Sequence, residues 1–188
     1  MVQMIKRSNF KILDCTLRDG GYHNNWRFSR KLINAYLSCM SSQGIEFVEL
    51  GFRFLNQNKL RGETAYTKEN FIKKLKIPKN LSIGVMITAS DFVNNSSPVS
   101  QLCKETFPKL KKSKIKFVRL ACHYKEIFSI EPIINWLKRR NVVVTVNLMQ
   151  ISELNTKQLI KASSYLSKKR VDVLYIADSL GSVKPNQI

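Results

Sequence analysis

A chain of 188 residues, 44% apolar and 10% aromatic, can bury one sizeable core and is too apolar for a disordered polymer. Its 32 basic and 13 acidic residues leave a net charge of +19, a balance that can draw nucleic acid, membrane surfaces or anionic substrates. The longest apolar stretches, such as Val142 to Met149, fall far short of the roughly 20 residues of a membrane span, so a membrane partner is not expected.

The elements follow one another in a regular order. A first strand begins near Lys11 and ends by Asp14. Ser29 is placed to cap a helix with Leu32, Ile33, Tyr36, Leu37 and Met40 on one face. A second strand starts near Glu46. Thr67 is expected to cap the next helix, which holds Phe71, Ile72 and Leu75 and ends at Pro78. A third strand starts near Ser82. Ser97 and Pro98 fit a cap and a first helical position, and Pro108 should stop that helix. A fourth strand starts near Lys116. Pro132 opens a helix marked by Ile133, Ile134 and Leu137. A fifth strand starts near Val142, Thr156 is expected to cap a helix with Leu159, Ile160 and Leu166 inward, and a sixth strand starts near Asp172.

The strand starts recur at intervals of about 26–36 residues, the rhythm of repeated βα units. The strands read as continuous apolar runs, as parallel strands covered on both faces do. No linker divides the chain, so a single domain is expected. A doubly wound open sheet and a closed barrel both suit the pattern, but no Gly-x-Gly-x-x-Gly or phosphate-loop motif follows any strand, which weakens the open-sheet reading.

The acids are few and oddly placed. Asp14 and Asp19 close the first strand, Glu49 lies late in the second, Asp91 follows the third, and Asp178 ends the sixth. All belong to the carboxyl end of the sheet, where parallel barrels build their active sites. A carboxylate inside an apolar strand needs a metal, a cation or several hydrogen-bond donors. Arg18 sits beside Asp19 in what reads as a glycine-flanked turn, and Arg119 lies inside the fourth strand. This set suits a metal ion with an anionic substrate; for Asp14 and Arg119, structural salt bridges serve equally well.

Thr16-Leu-Arg-Asp-Gly20 after an apolar strand resembles the signature of the DRE-TIM metallolyases, which include 4-hydroxy-2-oxovalerate aldolase, hydroxymethylglutaryl-CoA lyase and the isopropylmalate and homocitrate synthases. The longer run Asp14 to Trp26 looks like a subgroup described as aldolase catalytic-domain proteins. Ile45 to Phe52, Val118 to His123 and Ala177 to Gly181 match the later motifs in the expected order, so the resemblance spans nearly the whole chain. It implies an α/β fold, a (β/α)8 TIM barrel that is incomplete here, with about six of eight βα units in a single domain over residues 1–188. It implies a carbon–carbon lyase acting on a small 4-hydroxy-2-oxo acid, with a divalent metal (manganese or magnesium, zinc as the alternative) held by Asp19. Arg18 would stabilise the enolate, Glu49 would hold Arg18, and Ser179 and Asn147 would bind substrate.

Two departures accompany the resemblance. The aldolases place a histidine base where this chain has Tyr22; His23, next to it, is the candidate base. Trp26 and Phe28 are expected to pack beneath the loop. The family's remaining ligands form a His-x-His pair on the seventh strand, whereas the histidines here are His23 and His123. A barrel of this kind needs roughly 250 residues. The rest is therefore expected outside Ile188, in a missing C-terminal half or partner, and exposed strand edges favour a homo-oligomer.

Alternatives are an acyl-CoA/2-oxo acid condensing synthase and a truncated chain without activity. Nucleic acid is not an expected partner: only Lys109 to Lys114 and Lys138 to Arg140 are densely basic, and solvated helix faces account for the lysines. Cys15, Cys39, Cys103 and Cys122 form no C-x-x-C pair and are expected as reduced thiols. Asn9, Lys11 and Asp14 interrupt any signal-peptide core behind Lys6 and Arg7, so a soluble, cytoplasmic protein is expected.

Overall fold

The computed structural model describes residues 11–184, so Lys6, Arg7 and Asn9 lie outside the described residues. Its strands are β1 (Leu13–Asp14), β2 (Phe47–Phe52), β3 (Ser82–Thr88), β4 (Ile115–Cys122), β5 (Val143–Leu148) and β6 (Val173–Ile176). They form one six-stranded sheet in sequential order, and every pair is parallel. Between them run α1 (Thr16–Asn24), α2 (Arg30–Ser42), α3 (Glu69–Lys73), α4 (Ala89–Val93), α5 (Val99–Thr106), α6 (Glu131–Lys138) and α7 (Thr156–Ser167). A doubly wound sheet would reverse its strand order once. This one never does, and it curls into a half-barrel, the incomplete barrel that the sequence rhythm predicts. Among the described residues no helix is long and apolar enough to cross a membrane.

Alternation along each strand sorts the side chains. Val48, Leu50, Val85, Ile87, Val118, Leu120, Val144 and Val146 are wholly buried in the main core, which also takes in Ile33 and Leu37 of α2 and Ile133, Ile134 and Leu137 of α6. The other face carries Glu49, Arg119, Thr145 and Asn147, with a small apolar cluster of Trp26, Phe52, Ala65, Met86 and Ala121. A bulge makes that cluster possible. Glu49 pairs with Gly84 and Phe52 with Met86, so one extra residue in β2 brings Glu49 and Phe52 to the same face.

Several helix ends differ from expectation, each for a local reason. Ser29 caps α2 through a bond from the Leu32 N–H, but Leu32 itself stays 53% exposed. Thr67 does not cap α3; it is buried at φ 38°, its hydroxyl bonded to the carbonyls of Phe52 and Thr64, and Lys68 takes the cap position. Helix α5 starts at Val99 with Pro98 as its cap residue, so Ser97 lies one position too early. Asn155, not Thr156, caps α7, in a reciprocal box with Gln158. Ile160 faces solvent, whereas Leu166 is buried as expected. Pro108 and Pro132 sit where predicted, just past α5 and in the first turn of α6.

Gly84 marks close packing inside the half-barrel: a Cβ there would fall 2.2 Å from the Phe117 ring. Gly84→Ala is therefore expected to cost about 1–3 kcal/mol in urea unfolding, and Phe117→Leu in the same chain to recover part of it. An unchanged midpoint would show that the ring does not fill that space.

Candidate active site

The residues after β1 form a helix rather than the expected turn. Thr16 to Asn24 are helical, so Arg18 and Asp19 occupy the first turn of α1. The glycines serve packing. A Cβ at Gly21 would lie 2.0 Å from Trp26, whose indole fills that space and donates to the Arg18 carbonyl at 3.0 Å. Trp26 is 4% exposed, beneath the segment as predicted.

From this position Arg18 reaches Glu49. Its Nε donates to Glu49 Oε2 at 2.7 Å, and its Nη1 pairs with the neighbouring Asp19 carboxylate. The guanidinium also stands 5.8 Å from the centre of the Phe52 ring. Glu49 is fully buried and serves a second cation: Arg119 Nη1 approaches the same Oε2 at 3.4 Å. Arg119 also donates to Cys15 Sγ at 3.2 Å and to Asn147 Oδ1 at 2.5 Å, and lies 4.5 Å from the Tyr175 ring centre. One carboxylate thus holds two guanidiniums and ties β1, β2, β4 and β5 together. Burial, then the Glu49 charge, push the Cys15 thiol up to about 11, so it stays protonated and unreactive at neutral pH.

The pairing leaves Arg18 partly free. Two of its five N–H donors meet Glu49 and Asp19, which leaves three for a ligand. Burial would lower its pKa, but Glu49 and then Asp19 outweigh that and raise it, so Arg18 stays charged.

Other candidates are placed differently. Asn147 is 6% exposed and its side-chain oxygen is taken by Arg119, which makes it a support for that arginine. Ser179 is exposed, and its hydroxyl accepts from the Gln150 N–H at 3.3 Å. His23 is exposed on α1 and makes none of the contacts above. Tyr22 packs edge-on against Trp26 at 4.8 Å and Phe52 at 6.1 Å; burial and the nearby Asp19 raise its pKa, against the opposing pull of Arg18. Asp14 accepts from the Thr16 N–H at 2.9 Å and from the Tyr36 hydroxyl. Burial raises its carboxyl, but those bonds win and hold it below its ordinary value. Asp178 accepts from the Val183 N–H at 2.8 Å and orders its own loop. Asp91 lies in α4, a short helix that the sequence pattern missed because it follows β3 without a break.

The Asp19 side chain is 61% exposed and could donate to a metal. Among the described residues, however, no group of three or more histidine, cysteine, aspartate or glutamate side chains could hold one. Asp14 is engaged by Thr16 and Tyr36, and Glu49 is engaged through Oε2 alone, its Oε1 being buried without a hydrogen-bond partner among the described residues; with Asp19 these carboxylates do not by themselves complete a divalent site, and the chemistry derived below uses none.

No family model matches the chain. Among curated proteins it is 20% identical to an oxaloacetate decarboxylase of Mycobacterium tuberculosis over 93% of its own length and 49% of the relative. It is 23% identical to 4-hydroxy-2-oxovalerate aldolase 4 of Rhodococcus opacus, again over 93% of its length and 48% of the relative. The chain thus spans about half the length of the curated relatives it matches. Among solved structures it resembles the amino-terminal domain of a candidate aldolase from Bacteroides vulgatus, with a TM-score of 0.79 and 27% identity over 95% of this chain and 57% of that one.

Removing Glu49 would take the shared carboxylate from the buried Arg119 and the part-buried Arg18. Glu49→Ala is expected to lower the unfolding free energy by about 3–5 kcal/mol, and Glu49→Gln by less. Chemical denaturation checks this; a loss below about 1 kcal/mol would mean the two arginines do not depend on the carboxylate.

Proposed function

We propose that this chain is a distant member of the DRE-TIM metallolyases and that it carries the enolate-stabilising half of a carbon–carbon lyase acting on a small 4-hydroxy-2-oxo acid. The observation that supports this reading most directly is Arg18: a guanidinium clamped by a buried carboxylate, at the carboxyl end of a parallel sheet, with donors to spare.

The reaction suits that arrangement. When the bond between C3 and C4 of a 4-hydroxy-2-oxo acid breaks, the 4-hydroxyl loses its proton and C4 leaves as an aldehyde. The bonding electrons move onto the three-carbon fragment, and negative charge collects on its 2-oxygen. The free N–H donors of Arg18 would face that oxygen, held at their positions before charge develops by the Glu49 bond. The enolate then takes a proton at C3 to give pyruvate. Asp19, beside Arg18, is the one candidate metal donor of this segment. Arg119, locked by Glu49, Cys15 and Asn147, holds the frame rather than the substrate.

A second reading has a specific observation behind it. Among the described residues neither candidate for the base is well suited: His23 is exposed and makes no contact with Arg18, and Tyr22 has a raised pKa. Loss of carbon dioxide from a 2-oxo acid that carries a 3-carboxylate forms the same enolate and needs no base. One of the two curated relatives described above is an oxaloacetate decarboxylase. Both reactions place the same demand on Arg18.

Pyruvate release from 4-hydroxy-2-oxovalerate and from oxaloacetate, measured on the full-length protein with lactate dehydrogenase, separates the two. Arg18→Gln is expected to reduce whichever activity is present by about 10²–10³-fold. Turnover unaffected by that substitution would remove Arg18 from the reaction.

A further inference from the structure

The reaction at the mouth of the sheet leaves the charge of +19 unexplained. The fold brings two densely basic runs, separate in sequence, into one place. A groove of about 640 Å³ is lined by Lys73 at the end of α3, Lys104 in α5, Lys109, Lys111 and Lys112 in the turn before β4, and Arg140 just past α6. These turns lead into the amino ends of β4 and β5, whereas Arg18 and Asp19 follow the carboxyl end of β1. We propose that this groove is a docking site for the phosphodiester backbone of a nucleic-acid duplex, bound without base recognition.

Four observations favour that partner. First, the cations are not spent on internal pairs: none of the five lysines has an ion-pair partner among the described residues, and all five are exposed. Second, the one carboxylate that lines the groove, Glu69, is already bound by the buried Arg53 at 2.6 Å. Third, Arg140 is held in place. Its guanidinium lies 3.3 Å from the Trp136 ring centre, and its Nη1 donates to the Trp136 carbonyl at 2.8 Å. Fourth, the aromatic rings of the groove and Leu110 are sealed: Phe107, Leu110 and Trp136 are 2%, 4% and 5% exposed, which leaves Pro108 as the exposed apolar residue of the lining. A single strand is gripped by stacking its bases on open rings, and a membrane takes up exposed apolar side chains. This groove offers no open ring, and Pro108 is a single exposed apolar side chain among five lysines. The groove offers concave, uncompensated positive charge, which fits a regular row of phosphates.

The groove shares no residue with the site around Arg18 and is independent of the reaction proposed there, so its failure leaves that proposal standing. Binding of the full chain to a generic 20-base-pair DNA duplex, followed by fluorescence anisotropy across a salt series, tests it. Six phosphate contacts predict a slope of log K against log salt of about −5. The triple substitution Lys109→Gln, Lys111→Gln, Lys112→Gln should bring it to about −2 to −3. A charge-matched control, Lys31→Gln, Lys59→Gln, Lys157→Gln, at exposed sites elsewhere, should change it by less than about 1. No binding at low salt would overturn the proposal, as would an equal loss in the control. So would binding to phosphatidylserine vesicles that needs the groove lysines while the duplex is ignored.

Discussion

The buried carboxylate of Glu49 is the constraint around which this half-barrel is arranged. It is fully enclosed and bound by two guanidiniums, from α1 and from β4. A lone carboxylate at that depth would be costly, and so would either arginine without it. The three groups are therefore mutually obligatory. Their geometry fixes where β1 ends, how α1 leaves it, and which way β4 turns its polar side chain. The bulge in β2 belongs to the same arrangement, because it lets Glu49 and Phe52 share a face and places an aromatic ring beside Arg18.

The two arginines divide the work. Arg119 gives Nη1 to Glu49 and Cys15 and Nη2 to Asn147, with its Nε buried and unpartnered among the described residues, and rests on Tyr175, so it acts as a brace across the strands. Arg18 keeps three donors, and its remaining contacts hold its direction. Trp26 completes the setting by packing against Gly21 and bonding to the Arg18 carbonyl. The result is a charged, oriented donor group that needs little reorganisation to meet negative charge on an oxygen.

Much of this was legible before the structure. The six strands announced themselves because each is an apolar run bounded by turn residues, and the starts agree with the observed ones within two residues. Arg18, Asp19 and Glu49 stood out because acids are scarce and these lie at strand ends. Other features were hidden for physical reasons. Gly20 and Gly21 suggested a turn, but Gly21 is there so that an indole can approach a helix, a contact five residues away in sequence and dependent on two left-handed residues, Asn25 and Trp26. For Asn147 the resemblance implies a substrate contact, whereas the residue by itself reads as a satisfied polar group near a strand end. Which partner it has depends on the register between β4 and β5, and pattern alone does not set register. The basic groove was invisible for the same reason: Lys109 to Lys112 and Arg140 meet only after α5 and α6 have packed together.

The central claim is that Arg18, aimed by Glu49, is a preformed receptor for enolate-like negative charge. Oxalate, a planar dianion with the shape of the pyruvate enolate, probes this without turnover. Calorimetric titration of the full chain should show saturable oxalate binding that weakens at least tenfold in Arg18→Met and is reduced in Glu49→Gln, about 1.4 kcal/mol or more for the arginine. Equal oxalate affinity in the parent chain and in Arg18→Met would contradict the account.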